Sequence, residues 1–268
     1  VEHDSQILTK AAEEYHLEVN GVKFWTPYWI NWNTPPFFLN APFDGKGTPG
    51  QIKSVLLRRI QEEKQTPRSA ADYQRLTLGW GLGIDCSGLA YYLLSHWLRQ
   101  VYNLRLTDYL YTPKADVVEA SRKPHWQKAG VKPAQIDALP AQVSVSQVCE
   151  LFHRHPMHIT NVARLTSKQA AVTVPKAKDT RPGDMVKLTG PSGQHIGIVV
   201  AVNAKRLRYV DSRGFAAGVG SVRYQDIVIK DPEAGLEQQY WQDRKVFDPK
   251  ANDRLCRLRV IDERTRIV

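Results

Sequence analysis

From Thr180 onward the 268-residue chain changes texture, and that change limits its possible folds more than any other feature. Short β-branched runs bounded by turn residues follow one another: Asp184 to Leu188, Ile196 to Val202, Leu207 to Asp211, Ser221 to Tyr224, and Leu255 to Val260. Asn203-Ala204-Lys205 reads as the hairpin turn between two of them. Ahead of Thr180 the apolar spacing is helical. Ile7, Leu8, Ala11, Ala12 and Tyr15 share one face, and Val55, Leu56, Leu57 and Ile60 follow the opening signal Thr48-Pro49-Gly50-Gln51. Leu89, Leu93, Leu94, Trp97, Leu98 and Val101 line a third helix that starts near Asp85. Helices first and antiparallel strands after them make an α+β layout, because alternating βαβ units are absent.

Two stretches fit neither texture. Val22 to Pro49 holds Trp25, Trp29, Trp32, Phe37, Phe38 and Phe43 among Pro27, Pro35, Pro36 and Pro42. That composition predicts an arm that packs its aromatics on a scaffold or lines a groove. With the first helix, residues 1–50 form one unit and 51–268 the second. Residues 103–175 are interrupted by Pro113, Pro124, Pro133, Pro140 and Pro156, and read as an insertion with short helices, one near Val145 to His153.

The formal net charge is +10, with clusters at Arg58-Arg59, Lys205 to Arg208 and Arg254 to Arg266. Such a balance suits anionic partners such as cell-wall polymers, or simply makes a basic surface. No aromatic-basic RNA motif, zinc finger or basic zipper region is present, so nucleic acid is not expected as a partner. No run of about 18 apolar residues is present, so no transmembrane segment is expected. The chain opens on Val1 rather than Met, which is compatible with removal of a leader.

Three cysteines do not make a disulfide framework in a chain this long. Cys149 and Cys256 sit in apolar runs and read as small buried hydrophobes, with a Cys149–Cys256 bridge left open. His153, His155 and His158 cluster around Pro156 at spacings that match no common metal-ligand pattern, and no metal or cofactor is expected. Gly79-Trp80-Gly81-Leu82-Gly83 lacks the Lys-Ser/Thr of a phosphate loop and reads as a flexible approach to the third helix.

The third cysteine, Cys86, stands where that approach becomes the apolar helix. First-turn N–H groups and the positive end of the helix dipole favour a sulfur anion there, and the anion is the nucleophile. A cysteine nucleophile needs a base, and His195 heads the strand Ile196 to Val202.

Asp85-Cys86-Ser87-Gly88 resembles the signature of NlpC/P60 cysteine peptidases. Arg181-Pro182-Gly183-Asp184, followed by His195-Ile196-Gly197-Ile198-Val199-Val200, resembles the second block of the same family, in the same order. The resemblance covers roughly residues 73–102 and 180–225. It implies a papain-like NlpC/P60 fold, with the nucleophile helix packed on an antiparallel sheet of about five to six strands, and makes 51–268 the catalytic domain.

It further implies Cys86 as nucleophile, His195 as base and then acid, and Asp211 as the third member, where the family places a polar residue. The alternative for Asp211 is a turn residue or a partner of Arg213. Tyr73, thirteen residues before Cys86, matches a family tyrosine that assists the oxyanion site beside the Cys86 N–H, or is a packed tyrosine. Asp85 and Ser87 cap the helix, and Asp85 in relatives also meets a substrate amine.

The implied activity is hydrolysis of peptide or amide bonds in peptidoglycan stem peptides, at or next to D-glutamate and a diamino acid. The implied location is secreted, periplasmic or on the cell envelope. Acyl transfer or amide hydrolysis on a non-wall substrate, and a non-catalytic binding module, are the rival readings.

Overall fold

The computed structural model describes residues 2–30, 41–122, 127, 129–190, 193–215, 218–242 and 247–266. Helices α1 (Glu2–Glu13), α2 (Pro49–Glu62), α3 (Ala70–Gly79) and α4 (Cys86–Tyr102) precede most of the strands. Two small antiparallel ladders stand apart: β1 (His16–Val19) with β2 (Val22–Trp25), and β3 (Tyr111–Pro113) with β4 (Gln142–Ser144). The remaining strands are β5 (Ala171–Thr173), β6 (Met185–Gly190), β7 (Gly193–Asn203), β8 (Arg206–Phe215), β9 (Gly218–Val228), β10 (Tyr240–Trp241) and β11 (Arg254–Leu258). They form one sheet in the order β10-β9-β8-β7-β6-β11-β5, antiparallel at every junction.

The α+β expectation therefore holds, but the sheet has seven strands rather than five or six. The two additional strands, β5 and β10, are three and two residues long, too short to show a period in sequence. The last expected strand also ends early, since Arg259 already begins a helix to Arg266. The hairpin turn stands as expected, with Asn203 Oδ1 accepting from the Lys205 and Arg206 N–H groups.

Alternation along β7 explains why both sheet faces are covered. Ile196, Ile198 and Val200 join the core beneath α4, and Val199 faces the opposite cluster with Leu207, Tyr209, Ile227 and Trp241. On the first face α4 buries Leu89, Leu93, Leu94 and Leu98, and α1 adds Leu8, Ala11 and Ala12. Phe24 from the arm, Ile52 from α2, and Val148 and Phe152 from the insertion belong to the same cluster. The division expected after residue 50 is thus not a boundary between cores. The helix expected near Val145 to His153 runs from Val145 to Phe152, capped by Ser144.

The turn before β6 bears on α4 itself. Gly183 has φ +91°, and a Cβ there would lie 2.5 Å from the Trp97 ring, so only glycine fits. Asp184, next in the chain, accepts from the Arg181 N–H and takes both Nε and Nη2 of Arg257 on β11, at 2.8 and 2.9 Å. Arg257, one of the basic-tail residues, is therefore buried. Arg208 is bidentate on Asp226, and Arg59 pairs with Glu63. Members of all three basic clusters are neutralised by neighbours. Cys149 and Cys256 are both free, so the bridge left open by the sequence is not formed. Among the described residues, no helix is long and apolar enough to cross a membrane.

Candidate active site

Cys86 is the first residue of α4 and Asp85 is its N-cap, in extended conformation at φ −85°, ψ 171°. Asp85 Oδ1 accepts from the Gly88 N–H at 2.6 Å, satisfying one of the donors that a helix start leaves open. The Ser87 hydroxyl donates to the same oxygen at 3.0 Å. Asp85 caps the helix as the sequence predicts, whereas the described bonds of the Ser87 hydroxyl go to Asp85 and Lys46 and make it a support of that cap.

The segment leading into Cys86 is held between two pieces of the N-terminal arm. Pro27 O accepts from the Ile84 N–H at 3.2 Å, and Gly45 O accepts from the Asp85 N–H at 2.8 Å. From β8, the Ser212 hydroxyl donates to Ile84 O at 2.7 Å. The approach is so close that a Cβ on Gly88 would lie 2.8 Å from Gly45 O and 2.7 Å from Ile84 Cδ1. The signature glycine is thus a packing requirement of the arm over the helix start.

The arm also brings a cation that the sequence reading missed. Lys46 Nζ lies 2.9 and 2.8 Å from the two oxygens of Asp85 and donates to Ser87 Oγ at 2.5 Å. Both Lys46 and Asp85 are buried. The amine that meets Asp85 in this structure is the chain's own, so the expected contact with a substrate amine finds that carboxylate already paired.

On the other side of the cleft, β7 and β8 pair so that Gly197 stands opposite Asp211. His195, two residues before Gly197, shares its face of the strand and is the diagonal neighbour of Asp211. His195 Nε2 and Asp211 Oδ2 are 2.9 Å apart. Cys86 lies close enough to His195 to act on the charge of the ring, and both line the same cleft. With Nε2 committed to Asp211, Nδ1 is the nitrogen left to face the sulfur. The sequence-predicted Cys86, His195 and Asp211 are brought together around one imidazole.

Electrostatics follow from those contacts. Burial pulls the His195 pKa down, but the bond to Asp211 and the nearness of Cys86 outweigh it and hold the imidazolium up to about 9. Burial pushes Asp211 the opposite way, yet the His195 and Arg213 cations carry it down to about 2. Asp211 is fully buried and takes more than the imidazole. Arg213 Nη2 and Nε donate to Oδ2 at 2.8 and 3.2 Å, and Arg223 Nε donates to Oδ1 at 3.4 Å. The two alternatives for Asp211, orienting histidine and pairing with Arg213, are both realised at once.

Tyr73 is not at this site. It lies on α3 with its ring stacked on Phe24 at 5.3 Å, and its hydroxyl accepts from Asn20 Nδ2 at 3.2 Å. It is fully buried and does not line the cleft. The expected oxyanion role is corrected to the packed alternative, because α3 turns that side chain into the core. Tyr28 of the arm lines the cleft instead. Its phenol is raised by burial first and then by the nearness of Cys86 and Asp85. Only the aromatic richness of the arm hinted at it.

Cys86 and His195 open onto a cleft of about 650 Å³ whose walls include Tyr28, Asn161, Gln194 and Arg213. Asn161 comes from the insertion, so all three parts of the chain wall the cleft. Elsewhere in the insertion, His158 Nδ1 lies 3.3 Å from the buried Asp44 carboxylate, and His155 Nδ1 accepts from the Met157 N–H. Among the described residues no group of three or more metal-ligating side chains is gathered. Comparison with protein-family models, curated proteins and solved structures returned no match.

Proposed function

We propose that this protein is a cysteine hydrolase of the papain-like NlpC/P60 type that cleaves peptide or amide bonds in peptidoglycan stem peptides. The observation that carries the reading is one imidazole bonded to a buried carboxylate and sharing a cleft with a helix-start cysteine. The signature and the Pro-Gly-Asp and His-Ile-Gly blocks supply the family and the substrate class.

In this reading the Cys86 thiolate attacks the carbonyl carbon, forming a C–S bond and a tetrahedral oxyanion. The N–H groups at the start of α4 and the Tyr28 hydroxyl are the donors nearest the charge that develops. His195, held cationic, passes its proton to the departing amine as the C–N bond breaks. Water then gives a proton to His195 and its oxygen to the thioester carbon. The acid product leaves and the sulfur anion returns. Asp211 keeps Nε2–H in place and stabilises the imidazolium throughout.

Purified peptidoglycan digested with the wild-type protein and with Cys86→Ala tests this. Peptides or amines released by the wild type and absent with the variant are expected in the mass spectrum. Identical digests would remove the hydrolase reading for this substrate. Added amine or lipid acceptors that divert the acyl group from water would favour the acyl-transfer alternative.

A further inference from the structure

A second cavity of about 320 Å³ lies beside the cleft, and Asn161 lines both. It is built almost wholly by the insertion. Its lining includes Arg164, from the short helix Val162–Leu165, and Asp116 and Glu119 of α5 (Lys114–Ser121), with the Thr112 hydroxyl between Arg164 and Asp116.

Arg164, like Arg254 on Thr166 O, differs in its described bonds from other partly buried arginines of this chain. Arg208, Arg213 and Arg257 each take a carboxylate at 2.8 Å. The described hydrogen bonds of the Arg164 side chain go instead to the Ile159 carbonyl and, at 3.3 Å, to Thr112 Oγ1. Both are neutral oxygens. A guanidinium removed from water without an anion at bonding distance carries an unpaid desolvation cost, and an anionic ligand is what would offset it. Burial lowers the Arg164 pKa in keeping with that environment, while the more distant Asp116 raises it. Asp116, which accepts from Thr112 Oγ1 at 3.4 Å, and Glu119 are both exposed. A cavity lined by one partly buried guanidinium and two carboxylates matches a group that carries both charges a few ångströms apart.

We propose that this cavity is a substrate subsite for the zwitterionic end of an amino acid, with its carboxylate on Arg164 and its ammonium toward Asp116 and Glu119. The subsite rests on the peptide-hydrolase reading and deepens it. A stem peptide whose scissile carbonyl sits at Cys86 would cross Asn161 and place the free end of a diamino acid side chain here. Arg164 is then a specificity-determining residue supplied by the insertion, and the insertion exists in part to carry it.

The test uses a γ-D-glutamyl-diaminopimelate peptide and two capped forms, one with the side-chain carboxylate amidated and one with the side-chain amine acetylated. Calorimetry on the full-length Cys86→Ala protein reads their binding. Each cap is expected to weaken binding about tenfold or more. Arg164→Met should abolish the penalty of amidation alone, and Asp116→Asn with Glu119→Gln the penalty of acetylation alone. Arg164→Lys, which keeps a cation and checks that the fold survives, should retain part of the preference. Equal affinity for the three peptides, or no binding by any, would overturn the subsite. Cleavage of the amidated peptide by wild-type protein is read separately: its presence supports the hydrolase assignment whatever becomes of the subsite.

Discussion

Two buried aspartates flank the nucleophile, and they are held in different ways. Asp85 meets one ammonium, one hydroxyl and one backbone N–H, all on its own side of the cleft. Asp211 meets an imidazole and two guanidinium groups. The first arrangement fixes where α4 begins, because its donors come from the helix itself and from a strap laid over it. The second fixes the charge and tilt of a ring that, in the proposed mechanism, gives up and takes back a proton. One residue type, buried at both places, holds a helix start on one side and a ring's charge on the other, and the partners decide which.

The comparison breaks most visibly at Asp211. Asp211→Asn removes the anion that holds the imidazolium and should cut turnover by about 10²–10⁴-fold. It also leaves two guanidinium groups facing a neutral amide, at a cost of about 3–5 kcal/mol in denaturant unfolding. A variant with near-normal turnover would take Asp211 out of the mechanism.

On the Asp85 side, Tyr28 lines the cleft, and the proposed mechanism gives its hydroxyl the oxyanion. Tyr28→Phe should slow turnover by up to about 100-fold, the scale of losing one oxyanion donor. Tyr73→Phe should leave turnover unchanged and cost about 1 kcal/mol for its bond with Asn20. Steady-state rates of the two variants, measured together, separate the two tyrosines.

Lys46→Met should act on stability more than on rate. It strands a buried carboxylate and should cost about 3 kcal/mol, with turnover down less than about tenfold. The double variant Lys46→Met with Asp85→Asn should recover part of that stability, since no unpaired charge remains. Additive losses in the double variant would mean the pair is not coupled.

The smallest effect is in the pH profile of stability. His195 is raised from 6.5 to about 9, so its contribution is whole below 6.5 and is lost as the pH rises through 9. Asp211 is lowered from 3.8 to about 2, so its contribution is whole above 3.8 and is lost as the pH falls toward 2. Both are complete only between 3.8 and 6.5. The Tm difference between the wild type and Asp211→Asn should be widest in that window and narrow on either side.

Much of this molecule is legible in its residues. The helical face of α4, the strand alternation after Thr180 and the turn at Asn203 are local patterns, and each stands where its period places it. Cys86 and His195 were legible because each occupies a marked local position, a helix start and the head of a strand. Lys46, Tyr28 and Arg164 carried no such mark. Lys46 reads as one more basic residue in a glycine-rich loop, and Arg164 as an ordinary surface charge on a short helix. Tyr73 misled because distance along the chain says nothing about which way α3 turns a side chain.

The sequence by itself determined the elements and marked the two halves of the proposed reactive pair, because hydrophobic period, caps and turn residues act over a few residues at a time. Only the tertiary structure decided that the arm's Lys46 neutralises Asp85, that Asp211 is shared between histidine and two arginines, and that the insertion walls the cleft. Lys46 and Asp85 are 39 positions apart, while Asp211 lies only 16, 12 and 2 positions from His195, Arg223 and Arg213. Even at those short separations the sequence does not encode that one carboxylate takes all three, since that choice is made when paired strands are buried together.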